Sequence, residues 1–251
     1  MTDRNLDIGY VFTKTFSITG QRLKDLVILA VIIVGVPSLV LGLISSQIMA
    51  EAVSEGTIPQ FSLGFWLVSI IAGLLPLILQ AAVVHTTVET MSGREPDFNS
   101  SLSVALRLFL PLIGLSILMS LGIFIGFMLL IVPGLILITL WAVAVPAFVT
   151  ERTGIIRAFG RSMELTEGQR WRIFALIVIA WIAMFIVGLF IAALGGAGYQ
   201  GMPSSFWDVF LNSIVSTAAG VLSSVGVSVL YVHLRDLKEG TTLETIGDVF
   251  R

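Results

Sequence analysis

The sequence predicts an all-α bundle that crosses a membrane six times as three hairpins, with amphipathic helices at the interface. Three observations carry that prediction. Of the 251 residues, 56% are hydrophobic and 12% charged, where an ordinary soluble domain is about a quarter charged; mean hydropathy is +1.01. Runs without Asp, Glu, Lys or Arg, each long enough to cross hydrocarbon at about 20 residues per span, recur between short charged segments. All 14 lysines and arginines fall in alternate segments between those runs. So few charges cannot cover a water-soluble globule of this length, so lipid is the expected solvent.

The spans follow in order. Residues 26–50 form the first. Residues 56–88 carry only His85 as an ionisable group and contain the second, starting near Ser62. The uncharged stretch 108–150 is too long for one helix and suits two joined by a tight turn, which Pro133 and Gly134 supply. The third span is then 108–132 and the fourth 134–150. A turn at Gly122 instead would leave an arm of about 14 residues, too short to cross. Residues 173–194 are the fifth span, a glycine-rich loop follows, and 206–234 are the sixth. The N-terminus, MTDRNLDIGYVFTKTF, puts acids and aromatics before any apolar run, so the first span is expected to stay in the mature chain.

Basic residues accumulate in cytoplasmic loops. Arg4, Lys14, Arg22 and Lys24 precede the first span; Arg94 and Arg107 separate the second and third. Arg152, Arg157, Arg161, Arg170 and Arg172 separate the fourth and fifth, and Arg235, Lys238 and Arg251 follow the sixth. One face receives them all, so both termini are expected in the cytoplasm. Trp66 and Trp207 then fall near the outer interface and Trp171 near the inner one.

The basic segments repeat. Phe12, Lys14, Phe16, Ile18 and Thr19 correspond to Phe159, Arg161, Met163, Leu165 and Thr166. After one extra residue, Glu167, Gly20-Gln21-Arg22 recurs as Gly168-Gln169-Arg170, and Lys24 matches Arg172. FNSSLSVALRLF, residues 98–109, is a fainter third copy. The single membrane domain 1–251 thus divides into units 1–93, 94–152 and 153–240, parallel repeats each made of an interfacial helix and a hairpin. In the third unit Ile155, Ile156, Phe159 and Met163 recur at helical spacing opposite Arg157, Arg161 and Glu164. That pattern predicts an in-plane helix with its apolar side in the acyl boundary.

Candidate sites follow from the charges. Lys14, Arg22, Lys24, Arg157, Arg161, Arg170 and Arg172 are expected to meet lipid headgroups, anionic ones included, or a protein partner. Read plainly they are orientation anchors; the alternative is recognition of an anionic lipid or phosphorylated ligand. His85 and Glu89 stand one turn apart at the basic end of the second span, with His233 and Asp236 at the matching end of the sixth. If those helices touch, the four make a metal or proton-handling cluster; otherwise they are polar groups near helix C-termini.

Other motifs carry less. Gly196-Ala197-Gly198-Tyr199-Gln200-Gly201 spells G-x-G-x-x-G but follows a spanning helix rather than a strand, so it reads as a loop. Ser205 and Asp208 have capping-box spacing. Pro37, Pro76, Pro111 and Pro146 lie within spans and suit an irregular bundle or hinges. Gly122 with Gly126, and Ser216, Gly220, Ser224 and Ser228, form small-residue ridges expected to pack. No charge falls mid-span and no catalytic triad or HExxH pattern occurs, so neither an enzyme nor a cofactor is expected. The absence of cysteine excludes thiolate chemistry, and a net charge of −2 gives no reason to expect nucleic acid.

Val132-Pro133-Gly134, Trp141, Pro146, Glu151-Arg152, Gly154, Arg161-Ser162 and Leu165-Thr166 together resemble a bacterial family. It comprises the membrane domain of glycerophosphoryl diester phosphodiesterases and the YciC-type inner-membrane proteins. The resemblance is specific over residues 130–180 and implies a multi-pass protein of the bacterial inner membrane. It covers the membrane portion only, so no catalytic residue is carried over. The expected function is a non-enzymatic scaffold or accessory module that contacts lipid, a protein partner or a second copy. The alternative is a carrier or channel for a small molecule or lipid, marked by a polar cavity at mid-membrane lined by Ser, Thr or Gln.

Overall fold

In the computed structural model, which describes residues 5–58, 62–152, 154–194 and 206–240, the described residues are helices joined by short turns. Six of these stretches are long and apolar enough to cross a membrane, so the chain is a multi-pass helical membrane protein. Helix α1, Ile8–Gln21, begins at Asp7, whose side chain accepts from the Tyr10 amide at 3.0 Å. The first span is Leu23–Ser54, built from α2 (Leu23–Ala30), a π turn (Val31–Gly35) and α3 (Val36–Ser54). Pro37 lacks the N–H that the Ile33 carbonyl would receive and crowds it. The ladder widens just before it, the Val36 amide reaching the Val31 carbonyl.

Helix α4, Leu63–Met91, is the second span and carries Pro76 inside it; α5, Phe98–Leu129, is the third. The fourth is split into α6 (Ile131–Leu140) and α7 (Ala144–Glu151). The short α8, Ile155–Thr166, precedes α9, Arg170–Leu194, and α10, Phe206–Glu239. The expected spans are all present, each extending past its expected bound at the basic end, by one residue in the fourth span and by ten in the third.

Packing is uneven along the membrane normal. Helix α4 is buried through Leu79, Val83 and Val84, but Trp66, Leu67, Ile70 and Ile71 are exposed. Helix α10 is buried at Val225, Val229, Leu230 and Leu234, α5 at Val104, Ala105, Leu112 and Leu115, and α7 nearly throughout. One continuous core thus fills the half of the bundle that bears the basic residues. In the other half the helices spread, apart from the close contact of the third and fourth spans at Gly126 and Gly134, and their exposed apolar side chains suit lipid as the covering.

Several junctions depart from expectation. The turn between the third and fourth spans falls at Leu130, which is extended (φ −166°, ψ 158°), rather than at Pro133-Gly134. Pro133 sits in the first turn of α6, where a missing N–H costs nothing. Gly134 lies against the Phe127 ring, where a Cβ would come within 2.6 Å. The fourth span breaks at 141–143, since Pro146 denies an N–H to the Ala142 carbonyl and clashes with it. Residues 98–109 form no separate interfacial helix and run straight into α5. The two Gly-Gln-Arg copies also differ. Gly168 turns the chain at φ +82°, whereas α1 passes to α2 with only Arg22 between them.

Helix α8 does not lay its whole apolar side in the acyl boundary. Ala158, Ser162, Leu165 and Thr166 are buried, the Phe159 ring packs 4.7 Å from that of Trp141, and Ile155 lies over Gly114. Only Ile156 and Met163 of the expected face are exposed. Arg4, Arg251, the Gly196–Gly201 motif and Ser205 lie outside the described residues, as does the side chain of Trp207.

Candidate functional site

At the basic end, α7, α8 and α10 meet through a network of charges. Arg161 Nε donates to both oxygens of Glu151, at 2.9 and 3.1 Å, and its Nη2 donates to Glu239. Tyr231 Oη donates to Glu151 at 2.9 Å and Arg235 Nε to Glu239 at 2.8 Å. Burial opposes the Arg161 cation, yet the hydrogen bonds it donates to Glu151 and Glu239 more than offset it and hold the guanidinium above its ordinary range. Arg161, expected at headgroups, is therefore turned inward to bind three helices together.

Beside it, Ser162 closes the break in the fourth span. Its hydroxyl donates to the Leu140 carbonyl at 2.7 Å and accepts from the Val143 amide at 3.3 Å, and the residue is fully buried. Trp141, Pro146, Glu151, Arg161 and Ser162 belong to one structural node: a proline-broken helix, the serine that satisfies its free backbone groups, and the ion pair that fastens the mending helix.

The other expected contacts divide. Arg172 Nη1 donates to the Leu6 carbonyl at 3.0 Å while Gln169 receives the Leu6 amide at 3.0 Å, so this turn clasps the chain ahead of α1. Arg22 lies 3.7 Å from Asp25. Lys24, Arg157 and Arg170 are exposed and Lys14 half-buried, free to face headgroups. The histidine cluster does not assemble. His85 Nδ1 lies 3.2 Å from Ser101 Oγ and Glu89 binds Arg94 at 2.8 Å, on the α4–α5 side. His233 stacks on Tyr10 with centroids 4.8 Å apart, on the α1 side with Asp236. Among the described residues no group of three potential metal ligands forms.

The remaining feature is a cleft among α3, α4 and α10. It has a volume of about 420 Å³, within the roughly 300–1,000 Å³ of small-molecule pockets. Ser38, Pro76, Gln80, Ser216, Thr217 and Ser223 line it. Gln80 lies 11 residues before the end of α4 at Met91, about 17 Å along the axis at 1.5 Å per residue, near the middle of a hydrocarbon layer about 30 Å thick. Below it the core is closed by Leu79, Val83, Val225 and Val229. Among the described residues nothing hydrogen-bonds the Gln80 amide or the Ser38, Ser216, Thr217 and Ser223 hydroxyls. By contrast Ser224 and Ser228, deeper in the core, donate to the Gly220 and Ser224 carbonyls at 2.7 and 2.6 Å. The ridge expected to pack is therefore buried only in its lower half; Ser216 and Gly220 face the cleft and Ser224 borders its floor.

Fold and cleft together define a polytopic helical membrane protein with an uncharged polar recess at mid-depth. The chain matches no protein-family model, no curated protein and no solved structure.

Proposed function

We propose that the chain is a non-enzymatic carrier that binds a small molecule in the mid-membrane cleft. One observation supports this over a scaffold with a filled core: an amide and several hydroxyls stand without partners at a depth where an unsatisfied polar group is costly. A polar solute would supply the missing hydrogen bonds. Among the described residues the lining holds an amide, hydroxyls and apolar groups but nothing titratable, which suits binding and passage of an uncharged molecule rather than acid–base chemistry. Val34 of the π turn and Pro76 line the cleft, and the π turn, Pro37 and Pro76 give α3 and α4 places to bend.

The resemblance noted at residues 130–180 and the bacterial inner membrane with cytoplasmic termini belong to the same proposal. Of the residues behind that resemblance, Trp141, Pro146, Glu151, Arg161 and Ser162 belong to the closed basic end, and Val132, Pro133 and Gly134 to the opposite turn. Uptake into proteoliposomes of a panel of uncharged solutes (polyols, amides, nucleosides) tests the reading. At least one is expected to enter ten-fold faster than into protein-free liposomes, and Ser216→Trp, at an exposed cleft position, is expected to abolish the gain. No acceleration for any solute, or an unaffected plug variant, would overturn it.

A further inference from the structure

A second recess lies across the seam between α10 and the first span. It has a volume of about 410 Å³ and an almost wholly apolar lining that includes Leu26, Val27, Val31, Ala218 and Leu222. It follows the first span from Leu23 to Leu39, about 24 Å at 1.5 Å per residue. Its wall is open to the bilayer, since Val27, Val31 and Val36 are about half exposed. Ser213 and Thr217 line both this groove and the polar cleft, so the two meet where α10 and the first span diverge.

We infer that the ligand is a single-chain amphiphile with an uncharged hydrogen-bonding head, its chain along the groove and its head against Gln80 in the cleft. The inference rests on the carrier reading above and narrows its substrate. A narrow, long, apolar groove fits one hydrocarbon chain. Its junction with the cleft at Ser213 and Thr217 puts the head of such a chain beside Gln80, Ser38 and Thr217, which offer both donors and acceptors. The head carries no charge, because among the described residues neither recess is lined by an ionisable side chain and an uncompensated charge at this depth is costly. A phospholipid, with a charged head held at the bilayer surface, does not meet these terms. A monoacylglycerol, a fatty amide or a long-chain alcohol does. Such a ligand would enter sideways from the bilayer rather than from water.

The test uses the full chain in nanodiscs with monooleoylglycerol carrying a diazirine in its acyl chain. Lysophosphatidylglycerol with the same chain serves as the anionic comparator. Photolabelling is expected within residues 23–39 and 213–222, at least ten-fold stronger for the neutral probe and displaced by unlabelled monooleoylglycerol. Gln80→Leu, and separately the near-isosteric Thr217→Val, should each lower it at least ten-fold while elution volume and helicity stay unchanged. Should Gln80→Leu disturb the fold, Thr217→Val decides alone. Equal labelling by both probes with no effect of the variants would overturn the inference, since it marks ordinary surrounding lipid. Absence of labelling while an uncharged solute still crosses proteoliposomes would also overturn it and leave the carrier reading standing. Absence of both would remove the two together.

Discussion

Replacing Ser162 by alanine removes the group that satisfies both backbone ends of the broken fourth span. The Leu140 carbonyl and Val143 amide lose bonds of 2.7 and 3.3 Å at a fully buried position, where no water reaches them. Leaving a buried backbone group unsatisfied costs about 1–3 kcal/mol. Discounting the longer bond, Ser162→Ala should destabilise the protein by about 2–4 kcal/mol. The cost arises because Pro146 opens the ladder, so Pro146→Ala, which restores an N–H for the Ala142 carbonyl, should reduce it. The two changes should couple by about 1 kcal/mol or more in a double-mutant cycle. Reversible unfolding in mixed micelles, followed by circular dichroism, measures all four corners. A Ser162→Ala cost under about 0.5 kcal/mol, or strict additivity with Pro146→Ala, would refute the idea that this serine mends that break.

The network at the same end gives a second expectation. Arg161→Ala should cost about 1–2 kcal/mol in the same assay, and Arg161→Lys should recover little, because a point charge cannot reach Glu151 and Glu239 together with two forked donors. Tyr231→Phe should cost about 1 kcal/mol for its single bond to Glu151. Between α5 and α6, Gly126→Val should cost about 1–3 kcal/mol, since a Cβ there meets the Gly134 backbone at 3.0 Å; at the exposed Gly73, with nothing within 4 Å, Gly→Ala should be neutral or slightly stabilising.

Much of the fold was legible because hydrocarbon imposes a simple rule: a charge ends a span. That rule located all six crossings and the segregation of basic residues. Where spans break was less legible. Pro133 fits a turn and the first turn of a helix equally well by sequence, and Pro146 disrupts the ladder several residues before itself, at 141–143. Which charges pair between helices was not legible, since Arg161 meets Glu239 across 78 positions and nothing local marks the partner. A buried role for Ser162 was hinted by its spacing with Ala158 and Leu165 on one side of α8. The cleft left a fainter trace: Gln80 stands in an otherwise apolar span, a costly choice that the small-residue pattern of α10 masked by looking like a packing ridge. Gly220 and Ser216 differ from Ser224 and Ser228 only in depth, and depth depends on how far the helices spread.

The recess at mid-membrane, closed toward the basic end and open away from it, can be read directly because the native chain has no cysteine. Single cysteines at Ser216, at Gln80 and at the fully buried Ala82 would be exposed to a small charged methanethiosulfonate from each side of oriented proteoliposomes in turn. The account predicts rapid modification of Ser216→Cys and slower modification of Gln80→Cys, both only from the side opposite the basic residues, with Ala82→Cys inert from either. Protection of all three, or equal reaction of Gln80→Cys from the basic side, would contradict it.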